Sequence, residues 1–432
     1  MGNLKEMAKP CQSLFNWQQE HGDLFSFRLA SRHFYVFSHP NLIEQALIKQ
    51  TDVFEKIYNP KKPTGLELVL GQGLVTSHGN LWKTQRRIIQ PVFQKANINT
   101  LTPQMIIAGN AMLERWRQLG EGAEVNLSGE MMRLALEVIT QTMFSTSVLD
   151  KIEQIGPCLD ILIRYAGKSI LNPWLPPLFI PTPTNLEFKK ALAGLDEVIF
   201  GIIHQRLNSP LQHNDLLDML LSARDEKTGE RMSDKQLRDE VITIFSAGHE
   251  TVANLLVWTL YQLARHPEVL SKLREEVESV LQGGSPDVSH LNQLVYTKAI
   301  INESMRLRPP IGVMLRKLSK DTEIDGYNLK AGRMALFSIF NLHHHADFWE
   351  QPEQFNPDRF LKAENRRFAF MPFGTGERIC IGNHFSISES QILLAMIVQH
   401  CDLQLLSTEE VKIKMSITLR PEGGVPVRIK WR

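Results

Sequence analysis

Cysteine is scarce in this chain. Four residues in 432, Cys11, Cys158, Cys380 and Cys401, are too few and too scattered for a disulfide framework, and no two share Cys-x-x-Cys spacing. That excludes a stapled secreted scaffold and fits a reducing cytoplasm. Charge of one sign is also lacking: 48 basic side chains stand against 47 acidic ones, which speaks against a nucleic-acid binder or a strongly steered acidic partner. The opening stretch MGNLKEMAKPCQSLFNWQQEHGD holds no apolar run of the length a signal peptide or a transmembrane helix needs, so a soluble chain is predicted. Internal repeats and low-complexity tracts are missing too. The length allows two or three average domains or one large core.

What is present is patterned. In LFSFRLASRHFYVFS the apolar and aromatic residues Leu24, Phe34, Tyr35 and Phe37 flank a turn-like Ala30-Ser31-Arg32, which predicts a β-hairpin. From about residue 80 to 310 the apolar spacing is helical, broken by the proline-rich NPWLPPLFIPTPT from Asn172 to Thr184. Met314 to Ala335 and Lys412 to Trp431 return to short strand-like runs, with Glu422-Gly423-Gly424 as a turn. The fold class that follows is mainly α, with a smaller β-rich lobe assembled from both ends of the chain. One compact domain, residues 1–432, is expected.

The stretch FGTGERICIG, Phe373 to Gly382, puts Cys380 among glycines just ahead of a helical pattern. On its immediate neighbours, Ile379 and Ile381, Cys380 reads as a small buried hydrophobe. Gly374, Gly376 and Gly382 read otherwise, since each costs entropy and each permits close approach of a bulky flat ligand. Phe385, Ile392, Leu393 and Met396 repeat with helical spacing, which places Cys380 at a helix N-terminus, where the macrodipole favours a thiolate able to bind metal. Zinc is a poor fit: Cys380 with His384, and His400 with Cys401, would lie roughly 24 Å apart along a helix, whereas zinc ligands meet within about 2.3 Å of one ion.

Three other segments carry polar residues at telling positions. Ala247-Gly248-His249-Glu250-Thr251 sits mid-way in DEVITIFSAGHETVANLLVWTLYQLA, where Gly248 and Thr251 weaken a helix locally, or are simply a tolerated glycine and a threonine bonded to the preceding turn. Glu303 and Arg306 share a helix face, in isolation a surface ion pair worth only about 0.2–0.5 kcal/mol. Trp82 and Arg86 put an indole donor and a guanidinium on one face, a pattern equally met in a packed Trp beside a solvated Arg.

Phe373-x-x-Gly376-x-Arg378-x-Cys380-x-Gly382 resembles the haem-binding loop of the cytochrome P450 monooxygenases, and five motifs occur in that family's order from about residue 15 to the C-terminus. The resemblance implies a long central helix over haem b and the cysteine loop beneath it. Cys380 would be the axial ligand of the iron, with Phe373, Gly374 and Gly382 in the same loop and Ala247 and Gly248 against the haem. Thr251 and Glu250 would organise the water that delivers protons during dioxygen cleavage, whereas the family varies at His249. Trp82, Arg86, Arg378 and Arg316 would hold the haem propionates, and Arg359 would join Glu303 and Arg306 in a buried network bracing the cysteine loop.

The activity implied is hydroxylation of a hydrophobic substrate such as a fatty acid, terpenoid or carotenoid. Dioxygen would be the co-substrate, with NAD(P)H electrons arriving through a ferredoxin or flavodoxin and its reductase. Lys83, Arg86 and Arg87, with Arg366 and Arg367, would offer a basic docking face for that partner. Trp174, Leu175, Leu178, Phe179 and Ile180 would form a mobile roof that admits greasy substrates or touches a membrane peripherally, and the variable segment Tyr58 to Ser77 would help set specificity. The membrane anchor of microsomal members is missing, so the chain looks like a soluble, monomeric, cytoplasmic bacterial type, or one trimmed at its N-terminus. A peroxide-dependent peroxygenase of the same fold and a non-catalytic haem sensor or carrier remain as alternatives.

Overall fold

A computed structural model describes residues 6, 9–57, 65–145, 149–171, 175–208, 213–362 and 368–432. The hairpin, the prolines and the helical spacing fall where the sequence puts them. Helix α1 (Pro10–His21) leads into β1 (Leu24–Leu29) and β2 (Arg32–Phe37), joined at Ala30-Ser31 with Ala30 at φ +53°, and then into α2 (Pro40–Glu44) and β3 (Phe54–Glu55). A helical series follows: α3 (Glu67–Leu70), α4 (Gly79–Ile89), α5 (Lys95–Thr100), α6 (Thr102–Leu119), the short β4 (Glu124–Asn126), α7 (Leu127–Phe144), α8 (Leu149–Leu171), α9 (Pro183–Leu207), α10 (Leu216–Ser222), α11 (Asp234–Arg265), α12 (Pro267–Leu281) and α13 (Val295–Leu307). Strands β5 (Val313–Leu318), β6 (Thr322–Ile324), β7 (Tyr327–Leu329) and β8 (Met334–Ser338) precede α14 (Ile339–His343), α15 (Asn383–His400), β9 (Cys401–Leu405), β10 (Ile413–Met415), β11 (Leu419–Pro421) and β12 (Pro426–Trp431). The proline-rich break is non-helical from 175 to 182, and α9 restarts on Pro183 with Thr182 as its N-cap; Trp174 lies outside the described residues.

The chain divides into two compact units, residues 1–57, 113–131 and 251–432 in the first and 58–112 and 132–250 in the second. Every strand among the described residues belongs to the first unit. Its five-stranded sheet has the order β1-β2-β8-β5-β3, with β2 parallel to β8 and the other pairs antiparallel. Period-two alternation sorts its side chains to two faces. Phe34 and Val36 pack with Leu14 of α1, Phe25, Phe27 and Leu336, whereas Tyr35 and Phe37 pack with Phe54, Ala335, Phe337 and Met371. The N-terminal hairpin thus shares one sheet with residues 313–338, whereas the C-terminal strands form smaller sheets, β10 with β11 and β12 between β4 and β9, so the β-rich lobe expected from sequence is divided among several sheets.

Among the described residues of the second unit every regular element is a helix. Helix α11 spans 32 residues and is long and apolar enough by composition to cross a membrane, but 78% of its most apolar stretch is buried, the signature of a core helix.

Candidate functional site

In the first unit, the segment from Met371 to Gly382 is held by its own backbone. Gly374 N–H donates to the Met371 carbonyl at 3.0 Å, Ile379 N–H to Gly376 at 3.1 Å and Cys380 N–H to Phe373 at 2.9 Å. Gly374 and Gly376 both take φ +72°, the left-handed region that other residues enter at a cost. A Cβ on Gly376 would meet the Leu47 carbonyl oxygen at 2.7 Å, so the loop lies tight on the backbone after α2. Around Gly382 nothing lies within 4 Å of where a Cβ would be.

The loop delivers Cys380 to the approach of α15, whose N-cap is Gly382 and whose first turn carries no acid. The four cysteines divide by environment. Burial pushes the thiols of Cys11 and Cys401 up to about 12, whereas Cys380 is exposed. An exposed cysteine just ahead of a helix start stands where the macrodipole favours a negative charge. Helix α15 also puts Cys380 and His384 at the opposite end from His400 and Cys401, which separates the two halves of the zinc arrangement considered from sequence.

On α13, Glu303 and Arg306 are a fully buried pair. Arg306 Nε and Nη2 donate to the two Glu303 oxygens at 2.7 and 2.9 Å, and Arg359 Nε reaches Glu303 Oε1 at 3.3 Å. Both side chains of the first pair are 0% exposed. Arg306 spends its remaining donors on the carbonyls of His343 at 2.9 Å, Pro352 at 2.7 Å and Gln354 at 3.1 Å, and its guanidinium lies 5.1 Å from the Trp349 ring centre. The network ties α13 to the segment leading to the cysteine loop.

Arg316 on β5 is buried, and its Nη1 donates to the carbonyl of its neighbour Leu315 at 2.9 Å. Desolvation holds its pKa below the usual arginine value, against the opposing charge of Glu377 in the cysteine loop. No carboxylate makes an ion pair with it among the described residues. A buried cation without a counter-charge carries a desolvation cost. The C-terminal half of α11 is pinned by Asn254 Nδ2, which donates to Thr418 Oγ1 at 3.1 Å, and by Trp258 Nε1, which donates to the Leu419 carbonyl at 3.2 Å.

Helix α11 remains helical through Ala247–Thr251, so the weak point expected there does not end it. Gly248 instead admits a close neighbour, since its Cβ would lie 3.1 Å from Ile139 Cδ1 of α7. Along the helix, Ala247 is exposed and Ile244, Gly248 and Thr251 are partly so, spaced i, i+3, i+4 and i+7. One accessible stripe thus crosses the middle of an otherwise buried helix. His249 and Glu250 are buried, with the His249 ring 6.4 Å from that of Phe245.

In the second unit, α4 carries Trp82, buried, and Arg86, half-buried with Nε donating to Gln90 at 3.2 Å. The helix is preceded by a clamped loop that sequence reasoning missed. Asp239 Oδ2 and Glu240 Oε2 on α11 accept the N–H groups of Gln72 and Leu74, each at 2.9 Å, and Gln85 of α4 donates to the Gln72 carbonyl at 2.6 Å. Gly71 and Gly73 have no room for a Cβ against Asp239 and Thr243. Burial pushes the Glu240 carboxyl up to about 8. The signal available in sequence was Gly71-x-Gly73, which pointed to tight packing without naming its partner.

Arg87 corrects the expected basic docking face. Its guanidinium is bound to the buried Asp225, Nε to Oδ1 at 3.1 Å with a second contact from Nη2 to Oδ2, so it is committed within its own unit. Lys83 is exposed. Arg366 and Arg367 lie outside the described residues.

A family model described as Cytochrome P450 matches residues 1–426. The chain belongs to the cytochrome P450 family. It is accordingly an oxidoreductase, a monooxygenase of the kind that uses haem iron and dioxygen. Among curated relatives of this P450, a cyclooctat-9-en-7-ol 5-monooxygenase of Streptomyces melanosporofaciens is 33% identical over 390 residues, covering 89% of this chain and 83% of that protein. A pentalenene oxygenase of Streptomyces avermitilis is 31% identical, covering 98% and 91%. The solved cytochrome P450DA heme domain superposes with a TM-score of 0.89 at 28% identity, covering 98% of this chain and 93% of that one. The residues present fit a haem: an exposed cysteine sulfur, open space over Gly382, and a buried arginine without an ion-paired carboxylate.

Proposed function

We propose that this P450 hydroxylates an unactivated C–H bond of a hydrophobic small molecule of terpenoid type, with Cys380 as the residue whose thiolate would hold the iron of haem b. The observation that carries the reading is the exposed Cys380 in a loop closed by its own backbone hydrogen bonds, in a chain that also holds the fully buried Glu303–Arg306 pair. When bound, the haem supplies dioxygen activation, and a thiolate ligand pushes electron density that favours O–O cleavage. The protein's own groups supply position and protons. Arg316, with Arg378, Trp82 and Arg86, would hold the propionates, and Phe373, Gly374 and Gly382 would shape the loop that carries Cys380. Ala247 and Gly248 give α11 a small surface on its accessible stripe. Thr251 Oγ1 and the Glu250 carboxyl hold and pass protons through water. One catalytic domain comprises both compact units.

Electrons come from NAD(P)H through a ferredoxin or flavodoxin and its reductase, with Lys83 in the docking face. The terpenoid class is favoured over fatty acids by two relatives whose names carry cyclooctatenol and pentalenene. The experiment is a carbon monoxide difference spectrum of the reduced protein, wild type against Cys380→Ser. A red-shifted Soret band lost in the variant is expected, and its absence from wild type would overturn the reading. Turnover of a terpenoid panel with NADPH and a surrogate ferredoxin separates the monooxygenase from a peroxygenase, which needs only peroxide, and from a sensor, which turns over with neither. Thr251→Ala is expected to raise peroxide release per electron pair. Unchanged coupling would remove Thr251 from its role.

A further inference from the structure

His343 closes α14 and is fully buried, with its ring 5.2 Å from that of Phe370. Its hydrogen bonds fix its chemistry. Nε2 lies 3.0 Å from the backbone nitrogen of Met371, and an N–H can only donate, so Nε2 carries no proton and acts as acceptor. The proton is therefore on Nδ1, which faces the Met305 carbonyl at 3.3 Å. The residue's own carbonyl accepts from Arg306 Nη1 at 2.9 Å. Three different bonds thus join this one residue to α13 and to the segment before the cysteine loop.

The path continues without a break. The Met371 carbonyl accepts from Gly374 N–H at 3.0 Å, and Phe373, between them in sequence, accepts from Cys380 N–H at 2.9 Å. We propose that His343 is a positioning residue for Cys380, its neutral Nδ1-protonated imidazole coupling the Glu303–Arg306 network to the loop that carries the thiolate. The proposal rests on the reading of Cys380 as the haem ligand. Its electrostatics agree, since burial and the neighbouring Arg306 cation push the imidazole down to about 3 and keep it neutral at working pH. Without an acceptor at Nε2, the Met371 N–H would be a buried donor with nothing to bind, and the cheapest remedy is for segment 371–374 to shift and carry the Phe373 carbonyl away from Cys380 N–H.

The test compares two amides in the haem-loaded protein. In His343→Gln the side-chain oxygen reaches the place of Nε2 and still accepts from Met371. In His343→Asn the amide nitrogen takes the place of Nδ1 and still donates to Met305, but nothing reaches Met371. Reduced with carbon monoxide, the Gln variant is expected to keep the thiolate-type Soret band, whereas the Asn variant shifts the balance toward the shorter-wavelength, thiolate-free form about tenfold, the factor for one orphaned buried N–H. Equal behaviour of the two variants overturns the proposal, because loss of packing alone would not distinguish them. Nitrogen-15 NMR of histidine in the wild-type carbon monoxide complex gives a readout independent of variant folding. A buried neutral Nδ1–H tautomer at His343 supports the proposal, and an Nε2–H tautomer or an imidazolium overturns it. A wild type lacking the thiolate band removes the Cys380 assignment itself, and this proposal with it.

Discussion

Alanine at Gly374, Gly376 and Gly382 in turn should separate three reasons for glycine in one loop. Gly376 sits at φ +72°, where a Cβ costs about 1–2 kcal/mol. Its Cβ would also lie 2.7 Å from the Leu47 carbonyl oxygen, a backbone atom that cannot swing aside, and overpacking of that kind adds about 1–3 kcal/mol. Gly376→Ala is therefore expected to cost about 2–5 kcal/mol. Gly374 has the same φ, but the atom in its way is the Met314 sulfur at 3.2 Å, near the end of a flexible side chain, which leaves only the strain of about 1–2 kcal/mol. Gly382 sits at φ −89° with open space around it, so alanine there costs no more than about 1 kcal/mol as a poorer N-cap. Denaturant unfolding of the haem-loaded variants by circular dichroism gives the order, with the carbon monoxide spectrum recorded in parallel. Gly382→Ala should be the variant whose spectrum suffers out of proportion to its stability, because its Cβ enters the space assigned to the porphyrin. Equal losses at Gly374 and Gly376 would refute the clash argument, and an unperturbed spectrum in Gly382→Ala would refute the close approach of a flat ligand.

Glu303→Gln leaves Arg306 buried without its counter-charge and should destabilise by about 3–5 kcal/mol in thermal or denaturant unfolding; a loss below about 1 kcal/mol would show that the pair does not brace the fold. Glu240, pushed up to about 8 from an ordinary 4.5, holds a proton in the folded chain that the unfolded chain has released. Stability should therefore fall as pH rises between those values, and Glu240→Gln should flatten the decline; an unchanged slope in pH-dependent melting would contradict the assigned burial. Lys83→Glu should slow reduction by the redox partner at low salt without loss of stability, whereas Arg87→Glu should destabilise by breaking the contact with Asp225. Equal slowing by both, at unchanged stability, would return Arg87 to the docking face.

Sequence reading succeeded where a residue's meaning is local. The alternation of Phe34, Tyr35, Val36 and Phe37 is a property of a strand wherever the strand lies, and the two faces of the sheet sort as that period requires. The cysteine loop is also legible, since glycine at positive φ and a helix start leave marks within ten residues. Reading failed where meaning is set by a distant partner. Arg87 reads as a surface cation because Asp225 is 138 residues away in sequence. Asp239 and Glu240 drew no reading from sequence, yet both are buried and accept the backbone N–H groups of Gln72 and Leu74. In NLHHHADFW nothing distinguishes His343 from its two neighbours; only the Met371 N–H and the Met305 carbonyl, which fix one tautomer, do so.

By itself the sequence determined the mainly helical middle, the β-rich segments on either side of it and the glycine loop before the helix that follows Cys380, because propensity, periodicity and glycine conformation act over a few residues. Tertiary structure alone decided which charges are buried. A spacing of three between Glu303 and Arg306 is worth a few tenths of a kcal/mol on a surface and several in a dry interior, and the difference is made by Arg359 and the carbonyls of His343, Pro352 and Gln354 brought in from elsewhere in the chain.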